Sequence, residues 1–303
     1  MTHALLALTL LLAMSSHGAI FTSMPGEQTG SNRQSGAKNR DVYVSVLDKS
    51  GKSVTGLSAV DFSVREDGNA REVLKAGPAT TPLTISLLID DSQAAQPAIQ
   101  FLRDGLNGFI DALDGKAEIA LATIGERPTS VVDYTQSAVA LKKGVTRIFS
   151  RQGGGAYLLD AIVEVSRGLQ KREGARPVIV AVTMEDGPEF SNRYYEPVLE
   201  ELLKSGATLH VLAIGSPSSS LDDEMRNRNI VIAEGTSRTG GRREQVLAMM
   251  AIPEVLKQLA VELTNQYVVT YVRPEMLIPP QKMDVGVSQT GLTVRAPKRL
   301  SGR

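Results

Sequence analysis

Residues 84–94 read Thr84-Ile85-Ser86-Leu87-Leu88-Ile89-Asp90-Asp91-Ser92-Gln93-Ala94. An apolar run of strand length stops abruptly at two carboxylates and a hydroxyl. A continuous apolar segment of this kind suits a central strand of a sheet covered on both faces. In open α/β sheets, ligands bind just beyond the carboxyl ends of such strands. Asp90, Asp91 and Ser92 therefore fall where a metal or another ligand is held.

Downstream of this stretch, strand and helix patterns alternate. Ile99, Leu102, Leu106, Phe109, Ile110 and Leu113 recur at helical spacing, and residues 118–124 form a strand pattern. Residues 129–134 read as a short hairpin or edge strand. Leu158, Ile162, Val165 and Leu169 mark a further helix, and residues 178–183 a strand. A short helix around 200–203 and a strand at 209–214 follow. Residues 216–245, rich in Ser, Asn, Arg and Gly, read as a surface loop. Pro253 sits where a first-turn proline belongs, and Val255, Leu259 and Leu263 continue that helix. Tyr267, Val269 and Tyr271 then alternate as a strand. This order predicts a doubly wound α/β domain over 82–272 with a mostly parallel sheet.

Upstream, Val42, Val44 and Val46 alternate with other residues, and Asp67-Gly68 is a hairpin signal between extended pieces. Residues 41–80 thus predict a small accessory antiparallel β-module, which the C-terminal extension at 273–303 joins. Residues 20–40 have no apolar period and read as a flexible linker. Residues 1–19 place an apolar core at 5–14 before Ser15-Ser16-His17-Gly18-Ala19, the order of a signal peptide and its small-residue cleavage site. Export to the periplasm or the extracellular space follows as an expectation, with membrane contact only through that signal.

Lys plus Arg and Asp plus Glu both number 33, and no long run of one sign occurs, which argues against nucleic acid as a partner. The absence of Cys removes disulfides, thiol catalysis and Cys-ligated zinc.

Over 82–272 the order and spacing resemble a von Willebrand factor type A domain, a Rossmann-like fold whose metal-ion-dependent adhesion site opens with Asp-x-Ser-x-Ser. The chain after the linker is similar to secreted VWFA-related proteins of acidobacterial type. The residues carrying that likeness are Asp61-Phe62-Ser63-Val64-Arg65-Glu66-Asp67-Gly68, Ile232-Ala233-Glu234, Thr239-Gly240-Gly241, Gln266-Tyr267-Val268-Val269-Thr270-Tyr271 and Gly291-Leu292-Thr293-Val294-Arg295-Ala296. The resemblance implies five metal-ligating positions on three loops. Asp90 and Ser92 match the first two, and Ala94 stands at the second serine. Counting back from Asp160 places the ligand threonine at Ala156, and the last aspartate falls at Met184, one residue before Glu185. With three of five ligands replaced, the resemblance implies a degenerate site. No cofactor is expected; Mg²⁺, a hard ion that takes near-octahedral oxygen ligands, is the ion such a site would hold. Asp91 and Asp186 lie near enough to the strand ends to rebuild an oxygen cluster. Alternatively, Asp90 and Ser92 cap the following helix.

Other chemistry is sparse. Gly153-Gly154-Gly155 precedes a helix but matches no phosphate-binding motif, and reads as a tight turn needing positive φ. No Gly-x-Ser-x-Gly occurs. His210 sits within a strand pattern as a packed structural residue, and Arg238, Arg242 and Arg243 read as a solvated basic face. Met249, Met250 and Ile252 read as core. The expected role is non-catalytic binding of another protein or an envelope component through the strand-end face, lined by Asp90, Asp91, Ser92, Ala156 and Asp186. The alternatives are a Mg²⁺-dependent adhesion module and, less favoured by the residues, a metal-assisted hydrolase.

Overall fold

The computed structural model describes residues 38–172, 176–217 and 222–299. The expected signal peptide and linker positions 20–37 lie outside those residues. Residues 38–40, expected as linker, already belong to the first strand.

Six strands make the main sheet: β5 (Leu83–Ile89), β6 (Ala117–Thr123), β7 (Thr129–Thr135), β8 (Arg176–Met184), β9 (Thr208–Ile214) and β10 (Arg243–Val246). Their order is β10-β9-β8-β5-β6-β7, parallel throughout except for the antiparallel edge strand β7. Every residue of β5 is buried. Leu83, Ile85, Leu87 and Ile89 face one layer of helices, built from α1 (Ile99–Ala112), α2 (Ala138–Val145) and α6 (Ile252–Thr264). Leu88 faces the other, α3 (Leu158–Gln170), α4 (Tyr195–Ser205) and α5 (Asp223–Thr239). Burial on both faces is why β5 is an unbroken apolar run, each Leu or Ile contributing about 1.5–3 kcal/mol.

β5 is the pivot of the fold. The chain moves from it outward to β6 on one side and later through β8, β9 and β10 on the other. A crevice opens where such a reversal occurs, outside the carboxyl ends of β5 and β8.

The stretch expected to loop over the surface contains the 17-residue helix α5 instead. Its Asp222 side chain caps the first turn by accepting from the Met225 amide, and Gly240 closes it in the left-handed region at φ 78°. Composition misleads here because the buried face mixes Met225, Val231 and Ile232 with Arg228, Gly235, Thr236 and Thr239.

Seven strands form two small antiparallel sheets. β1 (Lys38–Leu47), β4 (Val73–Pro78), β11 (Tyr267–Arg273) and β13 (Thr293–Arg295) lie in the order β13-β1-β11-β4. β2 (Phe62–Glu66), β3 (Asn69–Arg71) and β12 (Met283–Val287) lie in the order β12-β2-β3. Asp67 and Gly68 both have positive φ, the conformation of a tight hairpin between β2 and β3. β11 was expected to end the α/β domain, but it runs between β1 and β4. Its alternating burial sends Tyr267, Val269 and Tyr271 into a third core with Val42, Val44 and Val64. A half-buried strand suits an antiparallel sheet with one wet face, unlike the fully buried β5. The main sheet is thus an excursion that leaves after β4 and returns at β11, with Pro78 paired to Tyr267.

Candidate functional site

Asp90, Asp91 and Ser92 follow β5, while Glu185 and Asp186 follow β8. The parallel pairing of the two strands brings both sets to one crevice. Asp90, Asp91, Ser92, Ala156 and Asp186 were expected from the sequence to line a partner-binding strand-end face. The structure exposes Asp186 alone and buries the other four. The carboxylates of Asp90 and Asp91 are engaged by donors within the protein.

Asp90 is 1% exposed. Its Oδ1 accepts from the Ser92 amide at 2.9 Å, and its Oδ2 accepts from the Met184 amide at 3.0 Å and Thr183 Oγ1 at 3.4 Å. The carboxylate thereby ties the end of β5 to the end of β8. Ser92 is buried too, but its Oγ meets no partner and makes no cap bond, so the capping role expected for it is not seen.

Asp91 reaches the other way. Its Oδ1 accepts from the Gly125 amide at 2.7 Å and its Oδ2 from Arg151 Nε at 2.9 Å. Arg151 spans on to Glu126 at 3.1 Å. Gly125 permits this approach because a Cβ there would meet Asp91 Oδ1 at 2.5 Å and Ser92 N at 2.6 Å. The glycine turn is held in the same web: Gly153, at φ 74°, donates its amide to Gln93 Oε1 at 2.9 Å.

The positions where the resemblance expects further ligands are packed. Ala156 is wholly buried, with its amide on the Pro188 carbonyl and its carbonyl accepting from the Phe190 amide. A Cβ on Gly187 would lie 3.1 Å from the Ala94 Cβ and 3.3 Å from that of Met184, so the loop after β8 closes tightly over both.

Two groups that sequence reading missed sit beneath this loop. Arg228, on the buried face of α5, has no exposed surface. Its Nη1 donates to the Met184 carbonyl at 2.9 Å, and its Nη2 to the Glu185 carbonyl at 3.2 Å and to Glu185 Oε2 at 3.3 Å. Burial lowers its pKa, while Glu185, Glu189 and Asp90 pull it back up. Glu185 also meets Arg243 Nη2 at 2.6 Å. Glu189, 3% exposed, accepts from the Ser191 amide at 3.1 Å, and burial raises its pKa to about 7. Reading residues 223–239 as a helix would have placed Arg228 at i+3 from Met225 and i−3 from Val231, a cation on an apolar stripe. That was the available signal.

The basic cluster is only partly a solvated face, with Arg243 exposed and Arg242 nearly buried, and all three arginines are paired. Arg238 pairs with Glu234, Arg242 with Glu244 and Glu262, and Arg243 with Glu185. His210 is wholly buried with neither ring nitrogen partnered, and burial lowers its pKa to about 4. Of the three residues read as core near α6, Ile252 is buried, but Met250 is exposed. Among the described residues, no group of three or more His, Cys, Asp or Glu side chains is gathered as a metal would require, and no helix is long and apolar enough to cross a membrane.

No protein-family model matches the chain, and no curated protein does. Solved structures do match. A von Willebrand factor type A protein from Catenulispora acidiphila superposes with a TM-score of 0.50 at 14% identity, over 89% of this chain and 78% of that one. Proximal thread matrix protein 1 from the mussel byssus gives 0.51 at 15% identity, over 66% of this chain and 50% of that one. A structure of the mussel protein with a zinc-occupied MIDAS motif, the metal-ion-dependent adhesion site, gives 0.50 at 16%, covering 66% and 49%. This chain thus spans about half the length of the mussel protein. At such identities the likeness speaks to architecture, and the architecture is that of the von Willebrand factor type A fold.

Proposed function

We propose that this protein is a non-catalytic binding module that docks another protein, or an envelope component, on the rim around the carboxyl ends of β5 and β8, without a bridging metal. The observation that carries this reading is the wholly buried Arg228 guanidinium, held by the carbonyls of Met184 and Glu185 and by the Glu185 carboxylate. It puts a positive charge against the start of the loop after β8, which opposes a divalent cation at the same strand end. The residues present do not fit Mg²⁺. Asp90 is committed to chain donors, three expected ligand positions carry Ala94, Ala156 and Met184, and Glu185 already serves two arginines. The exposed or half-exposed Gln93, Glu126, Arg151, Asp186 and Phe190 are then the groups a partner meets.

The non-catalytic reading is supported by the complete burial of His210, whose two ring nitrogens have no hydrogen-bond partner. Export rests on the signal-like order of residues 1–19. A metal-dependent adhesion module is the second reading, favoured by the unpartnered Ser92 Oγ beside Asp90 and by the zinc in the mussel protein.

One experiment separates the two. Thermal unfolding of the whole protein is followed in EDTA and then in millimolar Mg²⁺, Mn²⁺, Ca²⁺ or Zn²⁺. Binding to the native state at 100 times Kd would add about 2.7 kcal/mol. No shift is expected. A shift that Asp90→Ala abolishes would establish the second reading in place of the first. Retention of envelope proteins on the immobilised chain should likewise survive EDTA and weaken on Arg151→Glu.

A further inference from the structure

The opposite end of the main sheet holds a second site. A cavity of about 310 Å³ opens at the amino ends of β5, β6 and β8, where the loop 79–82 joins the small sheet to the main one. That volume falls in the range of small-molecule pockets. Its polar lining is Arg176, Lys116, Thr80, Thr81, Gln136 and Thr264. Two of those side chains are cations, the others are neutral hydrogen-bonding groups, and no carboxylate lines the cavity.

Arg176 is unusual among the arginines of this protein. It is only 5% exposed, yet no carboxylate pairs with it among the described residues. Arg228 and Arg242, buried to a similar degree, both have acidic partners. The Arg176 guanidinium makes a hydrogen bond from Nη1 to the neutral Gln266 Oε1 at 3.0 Å, and its Nε has no partner. Gln266 is fixed in turn by its Nε2 on Ser45 Oγ at 3.1 Å. The guanidinium carbon lies 5.2 Å from the centre of the Tyr43 ring, and the Tyr43 hydroxyl donates to Thr81 Oγ1 at 3.0 Å. Its setting is built from both sheets.

Burying a cation without a counter-ion is costly, and an unpaired buried guanidinium is stable only where something offsets that cost. A cation–π contact with Tyr43 offsets part of it. The planar fork of the guanidinium matches the paired oxygens of a carboxylate or a phosphate, and the flexible ammonium of Lys116 at the same cavity adds a second charge.

We propose that this cavity binds a small molecule through an oxyanion group, a carboxylate or a phosphate, held between Arg176 and Lys116 with hydroxyl contacts from the surrounding threonines. Because Tyr43, Ser45 and Gln266 belong to the small-sheet side and Arg176 to β8, an occupant tightens the joint between the two sheets. The site is independent of the β5–β8 crevice, and its failure would leave the reading of that crevice untouched.

The test is a thermal-unfolding titration of the whole protein with inorganic phosphate and, separately, with citrate, each against sodium chloride at matched ionic strength. Both anions also stabilise proteins generally by exclusion from the surface, an effect that rises without saturating. A saturating rise in melting temperature with at least one of them is expected. Saturation by phosphate alone assigns a phosphate ligand, and saturation by citrate alone or by both assigns a carboxylate-tolerant site. Lys116→Ala, at an exposed residue without an ion pair, should raise the half-saturating concentration by about tenfold, the loss of one charge-assisted contact. Arg176→Gln should abolish saturation, and if that variant does not fold, Lys116→Ala decides alone. A rise that never saturates, or one unchanged by Lys116→Ala, is an adventitious ion only and overturns the proposal.

Discussion

Met184 is gripped at both of its backbone polar groups: its carbonyl accepts from Arg228 Nη1 at 2.9 Å, and its amide donates to Asp90 Oδ2 at 3.0 Å. A cation and a carboxylate thus meet through one residue at the end of β8. The polar contacts that hold this crevice together are supplied within the chain.

Removing Arg228 should be severe. Arg228→Met leaves Glu185 buried with Arg243 as its remaining partner and strips two carbonyls of their donor. Loss of one partner from a buried pair costs about 3–5 kcal/mol, to be read as a fall in the urea midpoint. The same variant also lifts the positive charge from the crevice. A melting response to Mg²⁺ that is absent in the parent should therefore gain its best chance here, and calorimetry of both proteins with the ion checks it.

Asp90→Ala should destabilise through the amides it abandons. Those of Ser92 and Met184 lose their acceptor in a buried setting. Each orphaned donor costs about 1–3 kcal/mol. Chemical denaturation should show this loss equally in EDTA and in Mg²⁺; a difference between the two conditions would contradict a purely structural carboxylate.

Gly125→Ala should cost about 1–3 kcal/mol, since the added methyl has to push Asp91 and the Ser92 backbone aside. Because Asp91 carries Arg151, the substitution should also loosen that arginine. Binding of any rim partner would then fall further than stability alone explains, a comparison made by measuring both on the same preparation.

Stability should respond to pH through two buried groups of opposite sense. Burial holds the Glu189 carboxyl at about 7 against 4.5 for the free group. Its native protonated state is therefore fully favourable below 4.5, and that contribution is lost as pH rises through 7. His210 is held at about 4 against 6.5. Its contribution is intact above 6.5 and lost as pH falls through 4. Each is on the order of 3 kcal/mol, so between 4.5 and 6.5 the two slopes oppose and the parent curve is flat. Glu189→Gln should gain stability relative to the parent from pH 5 to 8, and His210→Leu from pH 6 down to 4. If neither variant changes the shape of the pH profile, burial is not what sets these groups.

The sequence made the frame of the main sheet readable because its strands and helices carry their own period. The β5 run, the spacing of Leu102, Leu106 and Phe109, and the Asp67-Gly68 turn each describe themselves locally. What escaped depends on partners far along the chain. α5 hides its helical period behind buried polar residues that are satisfied only once β8 and its loop are in place. β11 has the pattern of any half-buried strand, and nothing local says that its neighbours are β1 and β4 rather than the main sheet. In the crevice, Asp90 and Ser92 were evident from their motif, but their burial was not. It follows from the close approach of Gly125 to the Ser92 backbone and from the bonds of Asp90 to Thr183 and Met184, contacts that only tertiary packing defines.

The pairing of β1 with β11, and of β4 with that same β11, has a mechanical consequence. The six-stranded domain enters and leaves through adjacent points on one seam, where Pro78 sits across from Tyr267. Tension applied at residue 38 and residue 299 runs through the hydrogen bonds that join β1 to β11 and β13, and β2 to β12, and through the Lys298 and Arg299 amides on the Arg238 carbonyl in the last turn of α5. The main domain is thus held at the start of β5 and at the ends of α5 and α6, all on the amino-end side of its sheet, so every point of load lies across the domain from the crevice at the carboxyl ends of β5 and β8.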